Sequence, residues 1–177
     1  QARRHGFDFT FYTARKHVRG GVVGNRESHI AVLRTIRPGE RVLILEDDCV
    51  FSSTPDIPEL PNDYDILYLG ATMKGLDTWS DTLNLATVCW ATHAYVPNPD
   101  IVPRLIADLE NYDGVMDEYL VREIQPRRRC FIPRLNLVTQ LENDKSDVGG
   151  ELGISTANAI PYPPAVMGKW HDAPMIT

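Results

Sequence analysis

The sequence predicts an α/β fold, in which a sheet of strands packs against helices. Short runs of strand type, either apolar or alternating, are separated along the chain by amphipathic windows of helical period. With 177 residues the chain is long enough for one domain with a core and short for two. We therefore expect a single domain that spans residues 1–177.

The first half of the chain predicts three strands and one helix. Phenylalanines that alternate with polar residues at 7–12 are typical of a half-buried strand. A helix is predicted over 25–36 and ends before Pro38-Gly39. The continuous apolar run 42–45 predicts a central strand covered on both faces, and branched and aromatic residues at 64–70 predict the strand beside it.

The second half shows a weaker pattern. Residues 71–91 lack clear periodicity, and a long segment of this kind in a compact domain indicates a functional loop or lid. Beyond it the sequence predicts a short strand, two amphipathic helices and another strand, at 92–96, 100–110, 115–124 and 130–132. The last segment, 148–177, is rich in glycine, proline and small residues, and we expect it to be loop-rich.

Composition excludes several function classes. The formal net charge of -6 argues against a nucleic-acid partner, and no window is apolar enough for a membrane span. The three cysteines are widely spaced, which suggests reduced thiols rather than a disulfide framework or a zinc site. The start of the chain shows no signal-peptide pattern, so the compartment stays undecided, with the cytoplasm favoured.

An acidic triplet, Glu46-Asp47-Asp48, follows the apolar run 42–45 directly. Three adjacent carboxylates repel one another, which raises the pKa of at least one unless positive charge compensates. On a strand Glu46 and Asp48 would share one face, where a hard cation such as Mn²⁺ or Mg²⁺ accepts carboxylates together with substrate phosphates. The alternative is a polar strand end whose acids cap the following turn.

Two other classes of protein also place acids after an apolar strand. A P-loop ATPase needs G-x-x-x-x-G-K-[ST], which does not occur in this chain. A phosphorylation receiver domain needs a phosphoacceptor aspartate at the end of the next strand, yet the run 64–70 ends in Leu69-Gly70. Glycosyl transfer remains, because it needs acids and a metal at the departing diphosphate but no glycine-rich phosphate loop.

Several segments, taken in order, resemble glycosyltransferase family 25, which includes lipooligosaccharide and collagen galactosyltransferases. The resemblance covers residues 24–147. The matching segments are Gly24-Asn25-Arg26-Glu27-Ser28-His29, Leu43-Ile44-Leu45-Glu46-Asp47-Asp48, residues 64–70, Thr92-His93-Ala94-Tyr95-Val96, Asp117-Glu118-Tyr119-Leu120, and Leu137-Val138-Thr139-Gln140 with Ser146-Asp147. Family members open with a strand and an Arg-containing loop. In this chain only the segment that follows those two elements has a counterpart, at residues 2–14. The resemblance therefore leaves open whether the first strand is present.

The resemblance implies a GT-A-type fold with a mixed, mainly parallel sheet flanked by helices. It implies an inverting, metal-dependent hexosyltransferase that moves galactose or glucose from a nucleoside-diphosphate sugar, UDP-linked, to a hydroxyl of a carbohydrate or glycoprotein acceptor. Asp117 matches the helical aspartate of the family and is predicted as the base that deprotonates the acceptor. As a bare residue, Asp117 could equally be an N-terminal helix acid without chemistry.

The remaining site residues follow from position and from the resemblance. Asp48 is predicted as the direct metal ligand and Glu46 as a second or water-mediated one, with a neutral His171 from the tail completing the site. Asp47 is expected to face the ribose or sugar hydroxyls of the donor. The predicted substrate-binding side chains are Ser28, His29, Thr92, His93 and, for stacking on the acceptor sugar, Trp79.

Each of these assignments has a structural alternative. The two histidines can be core residues satisfied by neighbouring groups, and Trp79 can pack in its loop. Residues 127–129, all arginine, could bind a diphosphate or form a solvated basic turn. For the whole chain, the alternative to an enzyme is a non-catalytic GT-A-like module that binds sugar or a partner protein.

Overall fold

The structure, a computed structural model, describes residues 8–14, 17–52, 58–90, 92–140 and 165–169. Within these ranges an eight-stranded mixed sheet is flanked by helices, and a two-stranded sheet accompanies it. The predicted α/β class is therefore confirmed at this level.

The strands and helices are numbered in chain order. They are β1 Asp8–Tyr12, α1 Gly21–Leu33, β2 Val42–Leu45, β3 Cys49–Phe51, β4 Ile66–Tyr68, β5 Thr72–Thr78, β6 Leu83–Trp90, β7 Ala94–Pro97, α2 Val102–Asn111, α3 Met116–Tyr119, a π-helical segment Leu120–Ile124, β8 Cys130–Pro133, β9 Val138–Gln140 and β10 Ala165–Lys169.

The large sheet has the order β1-β10-β2-β7-β4-β8-β6-β5, and β3 pairs with β9 in the small sheet. In the large sheet of the described residues β4 and β8 alone pair in parallel, and every other neighbouring pair is antiparallel. The expectation of a mainly parallel sheet was therefore wrong. Strands β10 and β7 run against their neighbours on both sides, and the β5–β6 hairpin adds a further antiparallel pair at the edge. The expectation that β4 lies beside β2 was also wrong, because β7 lies between them.

The two faces of the large sheet have separate cores. On one face, helices α1, α2 and α3 and the π-helical segment pack on the sheet through buried residues such as Leu33, Leu105 and Ile124. On the other face, Phe51 and Val138 of the small sheet pack against side chains of β2, β4, β7 and β8. Because β2 is covered on both sides, all four of its side chains are buried, as its continuous apolar run predicts.

Helix α1 lies where a helix was predicted, with shifted ends. It begins at Gly21, four residues before the predicted start at 25, because Gly20 serves as the N-cap with a φ of 101°, a value that glycine accepts readily. It ends at Leu33 rather than at residue 36. The earlier start adds about one turn at the N-terminal end of the helix.

Residues 71–91, predicted as a loop or lid, form the β5–β6 hairpin instead. Its pairing shifts register around Gly75, which hides the alternation by which a strand is recognised in sequence. A Cβ at Gly75 would come within 2.8 Å of Oγ1 of Thr87, so glycine allows this irregular approach of the two strands.

Strand β10 lies within the segment 148–177 that was expected to be loop-rich. It inserts between β1 and β2, pairing Val166 with Leu45 and Lys169 with Val42. The other residues of that segment lie outside the described residues. Among the helices of the described ranges, none combines the length and apolar character that crossing a bilayer requires.

The helix predicted over 115–124 is divided between α3 and the π-helical segment. Gln125 follows the π turn, donating its backbone N–H to the carbonyl of Leu120. Its buried side chain accepts from the Cys89 N–H and donates to the Cys89 carbonyl, each over 2.7 Å. This amide pair holds the helical layer to β6, because a buried peptide group that lacks partners is costly.

Candidate functional site

The acidic triplet lies at the end of β2, where the chain turns back into the small sheet. Glu46, Asp47 and Asp48 are outside strand β2, and the Cys49 N–H donates to the Glu46 carbonyl over 3.3 Å, closing a tight turn. The idea that Glu46 and Asp48 share a strand face is therefore wrong, because strand alternation stops at Leu45. The turn is at the edge of the sheet where β2 and β4 end, since both strands pair antiparallel with β7.

Glu46 is the most heavily hydrogen-bonded carboxylate of the turn. Its Oε1 accepts from Thr92 Oγ1 at 3.0 Å, His29 Nε2 at 3.2 Å and Asn25 Nδ2 at 3.4 Å. Burial alone would raise the pKa of Glu46, but the His29 hydrogen bond and the nearby positive character of His29 and His93, with Thr92, lower it. Glu46 is thus stabilised as a carboxylate in a site where only 23% of its side chain is exposed.

His29 is buried between Glu46 and Tyr95. Its Nε2 faces the carboxylate and its Nδ1 lies 3.0 Å from the Tyr95 hydroxyl. Because a carboxylate only accepts, Nε2 carries a proton, and in the neutral ring Nδ1 then accepts from Tyr95. Helix α1 brings Asn25 and His29 to the same side, since residues four apart share a helix face.

Asp48 has a different environment. Its Oδ2 accepts from Gln140 Nε2 at 3.0 Å, whereas its Oδ1 is buried without a hydrogen-bond partner among the described residues. Burial and the adjacent charges of Glu46 and Asp47 raise the pKa of Asp48 to about 6, against the opposing hydrogen bond from Gln140. Asp48 therefore keeps one buried carboxylate oxygen that the described residues leave without a hydrogen-bond donor.

His93 is buried beneath the turn and contacts it through its backbone. Its backbone carbonyl accepts from the Glu46 N–H at 2.8 Å and from the Cys49 thiol at 2.6 Å. Its ring is buried, with neither nitrogen hydrogen-bonded within the described ranges, and burial lowers its pKa despite Glu46 and the Val138 carbonyl nearby. His93 thus contacts the turn through its backbone, and its ring faces the protein interior.

Gly70 permits the close packing beside His93. A Cβ at this position would lie 1.8 Å from the Val138 carbonyl oxygen and 2.9 Å from His93 Nε2. The space is fixed by Leu137 and Val138, whose N–H groups both donate to the Leu69 carbonyl. Only glycine fits where β9 crosses the end of β4.

Asp117 lies in the first turn of α3. Burial, then the charges of Glu46 and Asp117, raise the pKa of Tyr95 well above its usual value. Both carboxylates are therefore close enough to the buried Tyr95 to act on it electrostatically. Arg26 of α1 donates to the Gly114 carbonyl at 3.2 Å, which ties the loop before α3 to the helix that carries His29.

Ser28 faces away from the acidic turn. Its hydroxyl donates to the Gly24 carbonyl at 2.6 Å within α1. It lines a groove of about 410 Å³ between α1 and α2, together with Tyr12, Arg34 and Glu110. None of the three acids of the turn lines this groove, so the structure separates Ser28 from His29 although they are adjacent in sequence.

Trp79 lies at the same end of the strands as the acidic turn, but several strands away across the sheet. It follows β5, which is separated from β2 by four strands, or roughly 24 Å at the usual strand spacing. Its ring packs edge-on against Phe131 at 5.4 Å, and the guanidinium of Arg129 covers it at 4.7 Å. The structure does not bring Trp79, half exposed as it is, to the acids.

The arginines at 127–129 precede β8, so their backbone lies at the other end of the strands from the acidic turn, because β8 runs parallel to β4; the side chain of Arg129 extends back to Trp79. Each is next to a carboxylate, the pairs being Arg127 with Glu123, Arg128 with Asp65 and Arg129 with Asp63. The structure therefore places them as a surface turn of ion pairs, away from any diphosphate at the acidic turn.

Three predicted site residues remain: Asp47, Thr92 and His171. Asp47 is part of the turn and half-buried, and its charge contributes to the raised pKa of Asp48. Thr92 is buried against Glu46. His171 lies outside the described residues.

Three residues of the site had no predicted role: Asn25, Tyr95 and Gln140. All lie in the segments that carry the family resemblance. The i, i+4 spacing of Asn25 and His29 could have suggested a shared partner, whereas the contact of Gln140 with Asp48 depends on the pairing of β3 with β9, in which Cys49 opposes Gln140.

Metal ligands are sparse in the described part of the chain. No three side chains of histidine, cysteine, aspartate or glutamate converge there as a metal site. Asp48 Oδ1 is nevertheless a buried carboxylate oxygen without a donor, which suits a hard cation. A site with Asp48 as its protein ligand fits Mn²⁺ or Mg²⁺ when most of the other ligands are substrate phosphates and water, which is the usual arrangement for Mg²⁺.

Comparisons with protein-family models, curated proteins and solved structures give no match. The resemblance to glycosyltransferase family 25 therefore stays a prediction that rests on the quoted segments.

Proposed function

We propose that this chain is a glycosyltransferase of GT-A type that moves a hexose from a nucleoside-diphosphate sugar, UDP-linked, to a hydroxyl of a carbohydrate or glycoprotein. The observation that carries the proposal is Asp48. Among the described residues its Oδ1 is buried without a partner, and its pKa is raised to about 6, whereas Oε1 of the neighbouring Glu46 accepts three hydrogen bonds. A position that concentrates uncompensated negative charge in this way is suited to a divalent cation.

The position of the turn supports a donor site there. In open α/β sheets, ligands bind in the crevice beyond the carboxyl ends of parallel strands, of which this sheet has one pair, β4 and β8, among the described residues. The acidic turn follows the carboxyl end of β2, and β4 and β8 end at the same edge. The formal charge of -6 makes an unaided diphosphate site improbable on electrostatic grounds, so a cation is part of the proposal.

The roles of the residues follow from their environments. Asp48, held by Gln140, would hold the cation, whose charge supplies electrostatic stabilisation to the departing nucleoside diphosphate. Asp117 would take the proton of the acceptor hydroxyl as that oxygen attacks the anomeric carbon, with inversion. Its support is that its charge, like that of Glu46, raises the pKa of the buried Tyr95, which hydrogen-bonds to His29.

Thermal unfolding with UDP, with and without Mn²⁺, tests the binding step. We expect stabilisation that needs both ligands, because a ligand of the native state raises stability by mass action. Asp48→Asn should abolish the shift, whereas Asp117→Asn should keep it and lose sugar transfer. Absence of any shift in the wild type would contradict the proposal. A shift without hydrolysis or transfer of any donor sugar would favour a non-catalytic binding module.

A further inference from the structure

We propose that Glu46 is a positioning residue that fixes the acidic turn, and that it is not a metal ligand. Its Oε1 already accepts hydrogen bonds from Thr92, His29 and Asn25, at 3.0, 3.2 and 3.4 Å. A carboxylate oxygen with three donors directed at it has no lone pair left for a cation, so Glu46 could reach a cation only through Oε2, and the Glu46→Gln variant below tests that route. This inference rests on the proposed function. It assigns cation binding to Asp48 and positioning of the turn to Glu46.

The three donors connect the turn to two different parts of the fold. Asn25 and His29 come from α1, and Thr92 lies two residues before β7. His29 is itself fixed, because its other ring nitrogen contacts the Tyr95 hydroxyl of β7. Glu46 therefore joins the helical layer to the sheet at the point where the chain leaves β2.

The backbone of the turn is fixed at both ends by one acceptor. The carbonyl of His93 receives the N–H of Glu46 at 2.8 Å and the thiol of Cys49 at 2.6 Å. Asp47 and Asp48 lie between these two contacts. With the side chain of Glu46 held as well, the direction of the Asp48 carboxylate is set before any ligand arrives, which lowers the entropic cost of binding.

The charges of the two acids agree with this division. The donors around Glu46 stabilise its negative charge, whereas Asp48 keeps a buried oxygen without a donor. A cation at the turn gains most from the carboxylate that the protein leaves uncompensated. Replacement of Glu46 should therefore affect binding through geometry, and replacement of Asp48 through direct ligation.

Affinity for Mn²⁺ in the presence of UDP, measured by the electron paramagnetic resonance signal of free Mn²⁺, separates the two roles. Asp48→Asn should weaken binding by at least about tenfold, as for a lost ligand. Glu46→Gln keeps an Oε1 acceptor for His29 and Thr92. Its affinity for Mn²⁺ should therefore fall by no more than about threefold, a smaller free-energy change than the loss of one hydrogen bond. Glu46→Ala should lose on the order of tenfold, as for a lost positioning group.

Circular dichroism at the assay temperature should confirm that each variant is folded. If Glu46→Ala does not fold, Thr92→Val replaces it, since it removes one donor to Glu46 and keeps the side-chain shape; a loss of several-fold is then expected. Equal loss in Glu46→Gln and Asp48→Asn would show that Glu46 is a ligand and overturn this inference alone. Wild-type affinity in Glu46→Ala, or in Thr92→Val where that variant takes its place, would also overturn it. Absence of binding by the wild type would overturn the proposed function, and this inference with it.

Discussion

His29 lies between Glu46 and Tyr95, with Nε2 3.2 Å from the carboxylate and Nδ1 3.0 Å from the tyrosine hydroxyl. One buried imidazole thus connects helix α1 to the ends of two strands. Because all three groups are polar and largely buried, the loss of one leaves the others without a partner. Stability should respond strongly to this contact even though it lies at the edge of the sheet.

Replacement of His29 by alanine should lower the free energy of unfolding by about 3 kcal/mol, since it leaves Glu46 and the Tyr95 hydroxyl each short of a partner. Tyr95→Phe alone should cost about 1 kcal/mol. Urea unfolding of both variants and of the double variant should show a coupling energy of about 1 kcal/mol. Glu27→Ala, on the exposed side of the same helix, is the control and should change little. Additive single effects would contradict the contact.

Replacement of Gly70 by alanine should prevent normal packing of β9 on β4. The new Cβ would lie 1.8 Å from the Val138 carbonyl oxygen, so the backbone must move. We expect a loss of more than about 3 kcal/mol or failure to fold. Gly39→Ala is the matched control, because nothing lies within 4 Å of a Cβ there and the cost is limited to its φ of +78°, or about 1 kcal/mol. Equal losses of stability at the two glycines would contradict the close approach of the Val138 carbonyl to Gly70.

Replacement of Gln125 by leucine should leave the N–H and the carbonyl of Cys89 without their partners. The expected cost is about 3 kcal/mol, because buried peptide groups are expensive to leave unpaired. Chemical denaturation measures it, and Gln140→Leu serves as an exposed comparison with a smaller expected loss. A change within about 0.5 kcal/mol at Gln125 would mean that the layer is held without this amide.

Asp48 predicts a particular dependence of stability on pH in metal-free protein. Its pKa is raised from 3.8 to about 6 in the folded state, so folding favours the protonated form. Its unfavourable contribution is absent below the unfolded pKa, grows as pH rises from about 4 to about 6, and is complete above that range. Asp48→Asn should therefore have a Tm a few degrees above the wild type at pH 7.

This difference in Tm should vanish near pH 3.5, where the carboxyl group is protonated in both the folded and the unfolded state. Thermal melts in a chelating buffer across that range measure it. A wild-type protein that is more stable than Asp48→Asn at pH 7 without metal would show that Asp48 already has a compensating partner.

The sequence predicted best where local pattern and burial agree. The run Val42–Leu45 is buried on both faces, and its apolar residues identify the strand without knowledge of its neighbours. The β5–β6 hairpin was missed because the irregular pairing at Gly75 hides its alternation. Strand β10 was missed because a short segment in a glycine- and proline-rich tail becomes a strand only through its partners β1 and β2, which are far away in sequence.

The site followed the same rule. The acids were visible as a local cluster, and the family resemblance drew attention to His29, Thr92 and His93. Their arrangement was not visible, because Thr92 reaches Glu46 across 46 residues and Gln140 reaches Asp48 across 92. Strand alternation gave the wrong relation between Glu46 and Asp48, since the chain turns at the first acid. Tertiary pairing determines which carboxylate is satisfied and which is left for a ligand.

Hydrolysis of UDP-galactose and UDP-glucose, with water as a slow acceptor, tests the central claim most directly. The account predicts slow release of UDP that requires Mn²⁺ or Mg²⁺, falls at least about a hundredfold in Asp48→Asn and stays measurable in Glu46→Gln. Release of UDP that is independent of metal and equal in the wild type and Asp48→Asn would contradict it.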